Sequence, residues 1–313
     1  MLNDDAPDIS VLVVNWNTRD LLERCLDSIT VGVGSDLTWE AIVVDNASSD
    51  GSVALLRARS DISLIENSRN VGFAAAVNQA YRRSRAAFVL LLNSDVELLP
   101  GSVSALFELL AANPKLAGAA PLYRNPDGSP QPFHFRFPTF AVTLANASAL
   151  IRRIPRMQSR LRAFRMLDDD FSAPRPVPQP SASCLLLRRS VLPAEHILDE
   201  RYPIFFNDVK LARSLGAAGG ELWVTPDSVV VHEGHASTRQ LGEALKRQYV
   251  AAVVLMLHHT EPRRNLLLYR ALVLFQGLAL LVLRRPGALP LRDLVGALSG
   301  NPGPLPSQPP STA

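Results

Sequence analysis

Cysteine is nearly absent from this chain: there are two in 313 residues, Cys25 and Cys184. Two thiols build neither a disulfide framework nor a zinc site. Both sit in apolar runs and read as core thiols of a protein in a reducing compartment. Met1-Leu2-Asn3-Asp4-Asp5 lacks the basic stretch followed by an apolar one that marks a secretory leader, so none is expected. No repeat recurs at a fixed period. The net charge, +3, is too small to indicate a partner, and no nucleic-acid-binding motif accompanies the arginines, so no nucleic-acid partner is expected. No glycine lies between Asn15 and Arg19, which weighs against the Gly-rich phosphate loop that nucleotidyl transfer places after a first strand.

What the chain has is a 47% apolar composition, enough for a sizeable core at this length. Four short apolar runs near the start each end in Asn, Asp or Gly. Ser10–Val14 runs into Asn15-Trp16-Asn17, and Ala41–Val44 into Asp45-Asn46. Ile62–Ile65 leads to Asn67 and then Asn70-Val71-Gly72-Phe73, and Phe88–Leu92 runs into Asn93-Ser94-Asp95. Such β-branched, nearly continuous runs read as strands covered on both faces. Helical spacing fills the gaps: Leu21, Leu22, Cys25, Leu26 and Ile29 within Thr18–Thr30, then Gly51–Arg59, Val71–Arg83 and Pro100–Ala112. Thr18 or Asp20 suits the first helix start, and Pro100 suits the fourth. This βαβαβαβ order predicts a doubly wound, mostly parallel α/β sheet. Its strand ends then share one edge, where ligands bind.

Residues 122–180 break the pattern with many prolines and with Phe133, Phe135, Phe137 and Phe140, as a loop-rich insertion over the site. Within it Pro155–Leu167 reads as a helix, with Ile154, Met157, Leu161 and Phe164 on one face. Six arginines (152, 153, 156, 160, 162 and 165) fall here with no acid among them. Ser181–Leu187 reads as a strand and Asp208–Gly216 as a helix. Leu222–Val224 and Val229–His232 read as short strands, and helices follow from Thr238. The apolar stretch Leu266–Leu283 contains Arg270 and Gln276 and is bracketed by Arg263-Arg264 and Arg284-Arg285. Its uninterrupted part is shorter than the ~20 residues a span needs. A helix lying in an anionic membrane interface is expected, the alternative being plain packing on the rest of the chain. Residues 300–313 are rich in Pro and Ser and are expected to be disordered.

Several residues at the strand ends suit chemistry, each with a structural alternative. Asp95 presents an oxygen to a hard divalent cation such as Mg²⁺, or caps the following turn. Asp45 accepts from a nucleobase N–H or a ribose hydroxyl, or caps a helix, a task that Asp50 suits better. Asn70 to Asn78 opens a helix with small residues, which lets a diphosphate or sugar approach the backbone, or packs closely on the sheet. Asp208 is a general base if the insertion folds over the cleft, or an N-cap. His232 is a metal ligand or a structural histidine.

Taken in order, these segments resemble the nucleotide-sugar glycosyltransferases of family 2, most closely the rhamnosyltransferase-like branch. The segments are Val13 to Asn17, Val43 to Ser52, Asn70 to Phe73, Leu90 to Asp95, Leu185 to Arg189, Leu198 to Tyr202, Asp208-Val209, and His232-x-Gly. The likeness covers roughly residues 9–237 and implies a GT-A nucleotide-sugar-binding fold with a C-terminal helical appendage. It implies a catalytic domain over 1–237, a helical and membrane-associated region over 238–299, and a tail over 300–313.

The resemblance also implies roles. Asn15, Asn17, Asp45, Asn46, Asp50, Gly72, Phe73, Asn78, Asn93 and Asp95 would contact the donor, with Asp45 on the base or ribose. Asn93-Ser94-Asp95 stands at the family's D-x-D position. Asp95, and with it His232, would hold Mg²⁺ or Mn²⁺ against the diphosphate. Asp208 would deprotonate the acceptor hydroxyl in an inverting displacement. The donor would be a nucleoside diphosphate sugar such as dTDP-rhamnose, and the acceptor a glycan or lipid-linked precursor. Reaction would take place in the cytoplasm, at the inner face of the inner membrane. Asn93 replaces the first Asp of the motif, Asn207 stands where the family has Glu, and Lys210 where it often has Asp. The last two motivate an alternative, a non-catalytic homologue that binds sugar nucleotide or carbohydrate.

Overall fold

The computed structural model describes residues 6–234, 236–283, 285 and 288–306. Arg284 of the expected basic bracket and residues 307–313 of the expected tail lie outside them. The first half runs β1 (Ile9–Asn15), α1 (Arg19–Val33), β2 (Trp39–Asp45), α2 (Ser52–Arg57), β3 (Ser63–Glu66), α3 (Phe73–Arg83), β4 (Phe88–Asn93), β5 (Val96–Leu98), α4 (Ser102–Ala112) and β6 (Leu116–Arg124). The insertion carries β7 (Pro130–Gln131), β8 (His134–Phe135), α5 (Phe140–Ala147), α6 (Ala149–Arg152), α7 (Pro155–Phe164), β9 (Arg175–Pro176) and β10 (Gln179–Pro180). Then come β11 (Cys184–Arg188), α8 (Asn207–Ala217), β12 (Glu221–His232), α9 (Glu243–Thr260), α10 (Arg263–Val282) and α11 (Leu291–Leu298).

The main sheet has the order β3-β2-β1-β4-β11-β6-β12-β5. β1 pairs in parallel with β2 and β4, β2 with β3, and β6 with β12. β11 runs antiparallel between β4 and β6, so the sheet is mixed and mostly parallel. The strands alternate between two cores with the period of two that a pleated strand imposes. Ile9, Val11, Val13, Val43, Leu90 and Leu92 face α1, α2 and α4. Leu12, Ile42, Val44, Val89 and Leu91 face α3 and α8. Cys25 and Cys184 are both buried free thiols of this interior, where burial raises their pKa.

Four elements depart from the expected pattern. β5 and β6 form where neither was anticipated, and they carry the sheet past β11. The two short strands expected around residues 222–232 are one strand, with its register against β6 shifted between Thr225 and Val229. Pro226 has no N–H for the ladder, which accounts for a break in pairing that reads as two strands. The fourth helix begins at Ser102, after Gly101 in a left-handed conformation, and not at Pro100.

A third core joins α9, α10 and α11 and takes in Tyr202. Phe140 and Leu144 of α5, and Phe205 and Phe206 before α8, pack against it. The C-terminal helices and the insertion are therefore one continuous body with the loop that precedes Asp208. Residues 300–306, expected to belong to a disordered tail, lie along α9. Arg247 donates to the Pro304 carbonyl (2.6 Å), and Gln248 donates to the Pro302 carbonyl (3.1 Å).

Candidate active site

Parallel register aligns the strand ends. Asn15 lies opposite Asp45, Asp45 opposite Glu66, and Val14 opposite Asn93. At that edge lies a pocket of about 270 Å³ lined by the ends of β1, β4 and β12, the start of α3, and the segments around Ser181–Ser183 and Ile204–Asp208. Asn46, Gly72, Phe73, Asn93, Asp95, Asp208 and His232 all line it.

The β4 and β12 ends form one wall. Asp95 Oδ1 lies 3.5 Å from His232 Nε2, and both side chains are almost fully buried. Asp95 Oδ2 accepts from Ala236 N (3.3 Å), and its carbonyl accepts from Glu233 N (3.0 Å), so the loop after β12 wraps the carboxylate. Burial works against the charge, but the His232 ring and the Ala236 N–H outweigh it. The Asp95 carboxyl is held below the usual range. Tyr123 and Phe133 pack against the His232 ring, with centroids 5.7 and 4.7 Å away. Asn93 donates through Nδ2 to Ser183 Oγ (3.1 Å), while its Oδ1 is buried without a partner.

This wall fits a hard divalent cation: Asp95, His232 and Asn93 line one cavity, and the Asn93 amide oxygen is buried without a partner. Mg²⁺-type ions are commonly held by one or two protein ligands, with substrate phosphates and water completing the shell. Among the described residues no three His, Cys, Asp or Glu side chains cluster as a self-sufficient metal cage.

The same pocket is lined by Asp208 at the start of α8. Its Oδ2 accepts from Gln179 Nε2 (3.1 Å) and its Oδ1 from Val209 N (2.8 Å). Desolvation nevertheless dominates, and the carboxyl is pushed up from its ordinary value. Phe206, just before it, holds φ of +66°, a strained conformation for an aromatic residue and of the kind that collects at functional sites. Asn207 also lines the pocket, but its Nδ2 is taken by the Ile204 carbonyl (2.7 Å). It holds the strained loop, a task that a donor-less Glu could not perform. Lys210 is exposed and lines a separate surface cleft. Gly72, with φ of +90°, sits so close to Pro203 that a Cβ would lie 2.9 Å from the proline Cβ. Only glycine lets this loop close over α3.

Five residues expected to contact the donor, Asn15, Asn17, Asp45, Asp50 and Asn78, are not among those lining this pocket, and their side chains bond to the strand ends and helix starts around it. Asp45 is 1% exposed; its Oδ2 accepts from Asn15 Nδ2 (2.8 Å) and its Oδ1 from Ser48 N (2.8 Å). Asn15 Oδ1 accepts from Thr18 Oγ1 (2.7 Å), which in turn meets Ser94 Oγ (2.8 Å). One chain of hydrogen bonds thus links the ends of β2, β1 and β4. Asn17 accepts from Ser49 N (2.7 Å). Asp50 accepts from Arg19 N and Ser52 N, the first N–H groups of α1 and α2. Asn78 clamps residue 198 through both its amide oxygen and nitrogen (3.0 and 2.8 Å). Their side-chain oxygens accept from neighbouring N–H and O–H groups, while Asn17 Nδ2 is buried without a partner.

Several lining residues escaped the sequence reading: Ser181, Ser183, Phe133, Phe205, Leu241 and Leu305. The Phe133 cluster was visible as an aromatic run. Nothing local marks Leu305, which reaches the pocket only because the chain doubles back along α9.

Comparison with known proteins gives the family and the fold. Residues 10–193 match the model of glycosyl transferase family 2, and the chain belongs to that family. An N-acetylglucosaminyl-diphospho-decaprenol L-rhamnosyltransferase of Mycobacterium tuberculosis is 27% identical over 261 residues, 79% of this chain and 83% of that protein. Among solved structures, the mannosyltransferase PcManGT from Pyrobaculum calidifontis, in complex with GDP-Man and Mn²⁺, superposes with a TM-score of 0.50. It shares 18% identity and covers 95% of this chain and 75% of its own. GalNAc-T7 with UDP, GalNAc and Mn²⁺ gives a TM-score of 0.51 at 15% identity. It covers 74% of this chain, which spans 44% of that one. The fold is GT-A, with C-terminal helices.

The frame role of Asp45 is testable. Asp45→Ala leaves Asn15 Nδ2 and Ser48 N without their acceptor and is expected to cost about 1–3 kcal/mol of stability. Chemical denaturation of the metal-free, ligand-free protein reads this, and an unchanged midpoint would contradict it.

Proposed function

We propose that this protein is a metal-dependent, inverting glycosyltransferase. It moves a sugar from a nucleoside diphosphate sugar to a hydroxyl of a lipid-linked or cell-surface glycan precursor. The carrying observation is that Asp95, His232 and Asp208 line one pocket at the carboxyl edge of the sheet. Asp208 is the base: its oxygen takes the acceptor proton while the acceptor oxygen bonds to the anomeric carbon. The bond from that carbon to the diphosphate breaks on the opposite side, and the nucleoside diphosphate leaves with the electron pair. A carboxylate with a raised pKa is the better base for this transfer. Asp95 and His232, with Asn93 beside them, would hold Mg²⁺ or Mn²⁺. When bound, the ion neutralises the charge developing on the leaving diphosphate. The rhamnosyltransferase relative supports rhamnose as the donor sugar and a diphospholipid-linked acceptor.

A non-catalytic sugar-nucleotide binder is the second reading, and its motive is Asn207 and Lys210. Asn207 serves the loop and Lys210 lies outside the pocket, so neither interferes with Asp208.

Membrane docking belongs to the same proposal. α10 buries Leu266, Tyr269, Val273 and Gly277 and leaves a second apolar stripe exposed: Leu267, Leu268, Phe275, Leu278 and Val282. By length and composition it is the one helix among the described residues able to cross a bilayer, yet its buried stripe packs on its neighbours. A helix with one apolar side in protein and the other free suits the plane of an interface. α10 touches α5, which touches α6 and α7. There Leu150 and Ile154 are exposed, and Arg152, Arg153, Arg156, Arg160 and Arg165 form no ion pair among the described residues. Apolar side chains ringed by free cations fit an anionic leaflet, where each Arg adds about 1 kcal/mol.

Three outcomes are expected. Asp208→Asn lowers kcat by roughly 10²–10⁴-fold, with thermal stabilisation by nucleotide sugar retained; normal turnover would remove Asp208 as base. In the wild type, activity falls with acid through a midpoint above the usual carboxylate range of about 4, since the ionised form is the base and burial raises its pKa. Finally, the protein floats with anionic phosphatidylglycerol vesicles and far less with neutral phosphatidylcholine ones. Phe275→Glu weakens that binding, and failure to float with anionic vesicles would refute docking.

A further inference from the structure

His232 is held by a hydrogen-bond relay that starts at a surface turn. Asn125-Pro126-Asp127-Gly128-Ser129 joins β6 to β7, with the Gly128 N–H on the Asn125 carbonyl (2.8 Å) and Gly128 at φ of +82°. Asn, Pro, Asp and Gly are the residues such a turn selects. Gln131 follows on β7, paired with Tyr123 of β6. Its Nε2 lies 2.8 Å from Asn125 Oδ1 and 3.1 Å from the His232 carbonyl oxygen, and its Oε1 lies 2.8 Å from His232 Nδ1.

Chemistry fixes the direction of every bond in this relay. A backbone carbonyl only accepts, so the Gln131 amide must turn its NH₂ toward the His232 oxygen. Its Oε1 then faces Nδ1, and Nδ1 must carry the hydrogen. The far end gives the same answer independently. The Asp127 carboxylate only accepts, and it takes both the hydroxyl and the N–H of Ser129. Ser129 Oγ is then free to accept from Asn125 Nδ2 (2.9 Å), which leaves Asn125 Oδ1 to accept from Gln131. These Ser129 contacts also hold the Asp127 carboxyl below the usual range, which keeps the anchor ionised.

The consequence falls on the other ring nitrogen. With hydrogens on both nitrogens, the ring meets Asp95 through Nε2–H and holds that carboxyl down; the neutral ring protonated at Nδ1 presents a bare lone pair at Nε2 instead. That lone pair lies 3.5 Å from Asp95 Oδ1, and the unpartnered Asn93 Oδ1 lines the same pocket. Two acceptors 3.5 Å apart, Nε2 and Asp95 Oδ1, ask for a positive charge between them.

We propose that Gln131, anchored through Asn125 and Ser129 on Asp127, is the positioning residue that keeps the hydrogen of His232 on Nδ1 and aims the Nε2 lone pair at the Asp95 side of the pocket. The consequence for metal affinity rests on the metal reading above; the tautomer itself does not. Outer partners of this kind typically change metal affinity 10- to 100-fold when removed.

The test uses the full chain labelled with ¹⁵N-histidine, free of metal, at about pH 9, above the imidazole range. The His232 signals are identified by their loss in His232→Gln. The expected result is the Nδ1–H tautomer in the wild type. In Gln131→Met the hydrogen shifts toward Nε2, where Asp95 accepts it, and Asn125→Ala shifts it part of the way. Melting temperatures report folding, and if Gln131→Met does not fold, Asn125→Ala decides alone. A wild type with its hydrogen on Nε2, or a tautomer unmoved in the folded variants, would overturn the proposal. Mn²⁺ titrated with pyrophosphate and read by electron paramagnetic resonance is expected to bind about 10-fold or more weakly to Gln131→Met. If the wild type binds no Mn²⁺ while showing the Nδ1–H tautomer, the metal reading falls and the role of Gln131 stands.

Discussion

Parallel pairing of β1 with β2 on one side and β4 on the other is the constraint on which the rest depends. It brings Asn15, Asp45 and Asn93 to one edge. Parallel strands need long crossovers, so α1, α2 and α3 must cover the two faces, and the polar strand ends have only that edge on which to gather. The bonds from Asp45 through Asn15 and Thr18 to Ser94 then tie the three ends into one rigid rim. The two carboxylates that line the pocket, Asp95 and Asp208, lie just beyond that rim.

The pocket has two electrostatic characters. On the β4 and β12 side, Asp95 is kept ionised beside an imidazole and an unpartnered amide oxygen, a set that attracts a cation. On the α8 side, Asp208 is desolvated and raised, a state that favours taking up a proton. Pushing two carboxyl groups of one cavity in opposite directions separates their chemical roles. The same division extends outward. The β4 and β12 side is supported by β7 and its turn, and the α8 side by the aromatic loop that packs on the C-terminal helices.

Much of this was legible from residue order. The nearly continuous apolar runs of Ile9–Asn15 and Phe88–Asn93 read as strands covered on both faces, and the helices between them showed in spacing. Asp95, Asp208 and His232 were marked because each carboxylate or imidazole follows a strand or opens a helix. Asp45, Asp50, Asn15, Asn17 and Asn78 looked equivalent by the same rule, yet their side chains meet neighbouring backbone and amides. A one-dimensional pattern shows that a polar group ends a strand. It does not show which unmet N–H lies within 3 Å of it.

The sequence by itself determined the α/β architecture, the edge at which polar groups collect, and the likeness to family 2, because these follow from local periodicity and from motifs in order. Only the tertiary structure decided which of those groups face the cavity and which frame it. It also brought Gln131 to His232 across 101 residues and Leu305 back to the pocket. These pairings arise from how separate segments fill space against one another, and nothing in the neighbouring residues of either partner encodes them.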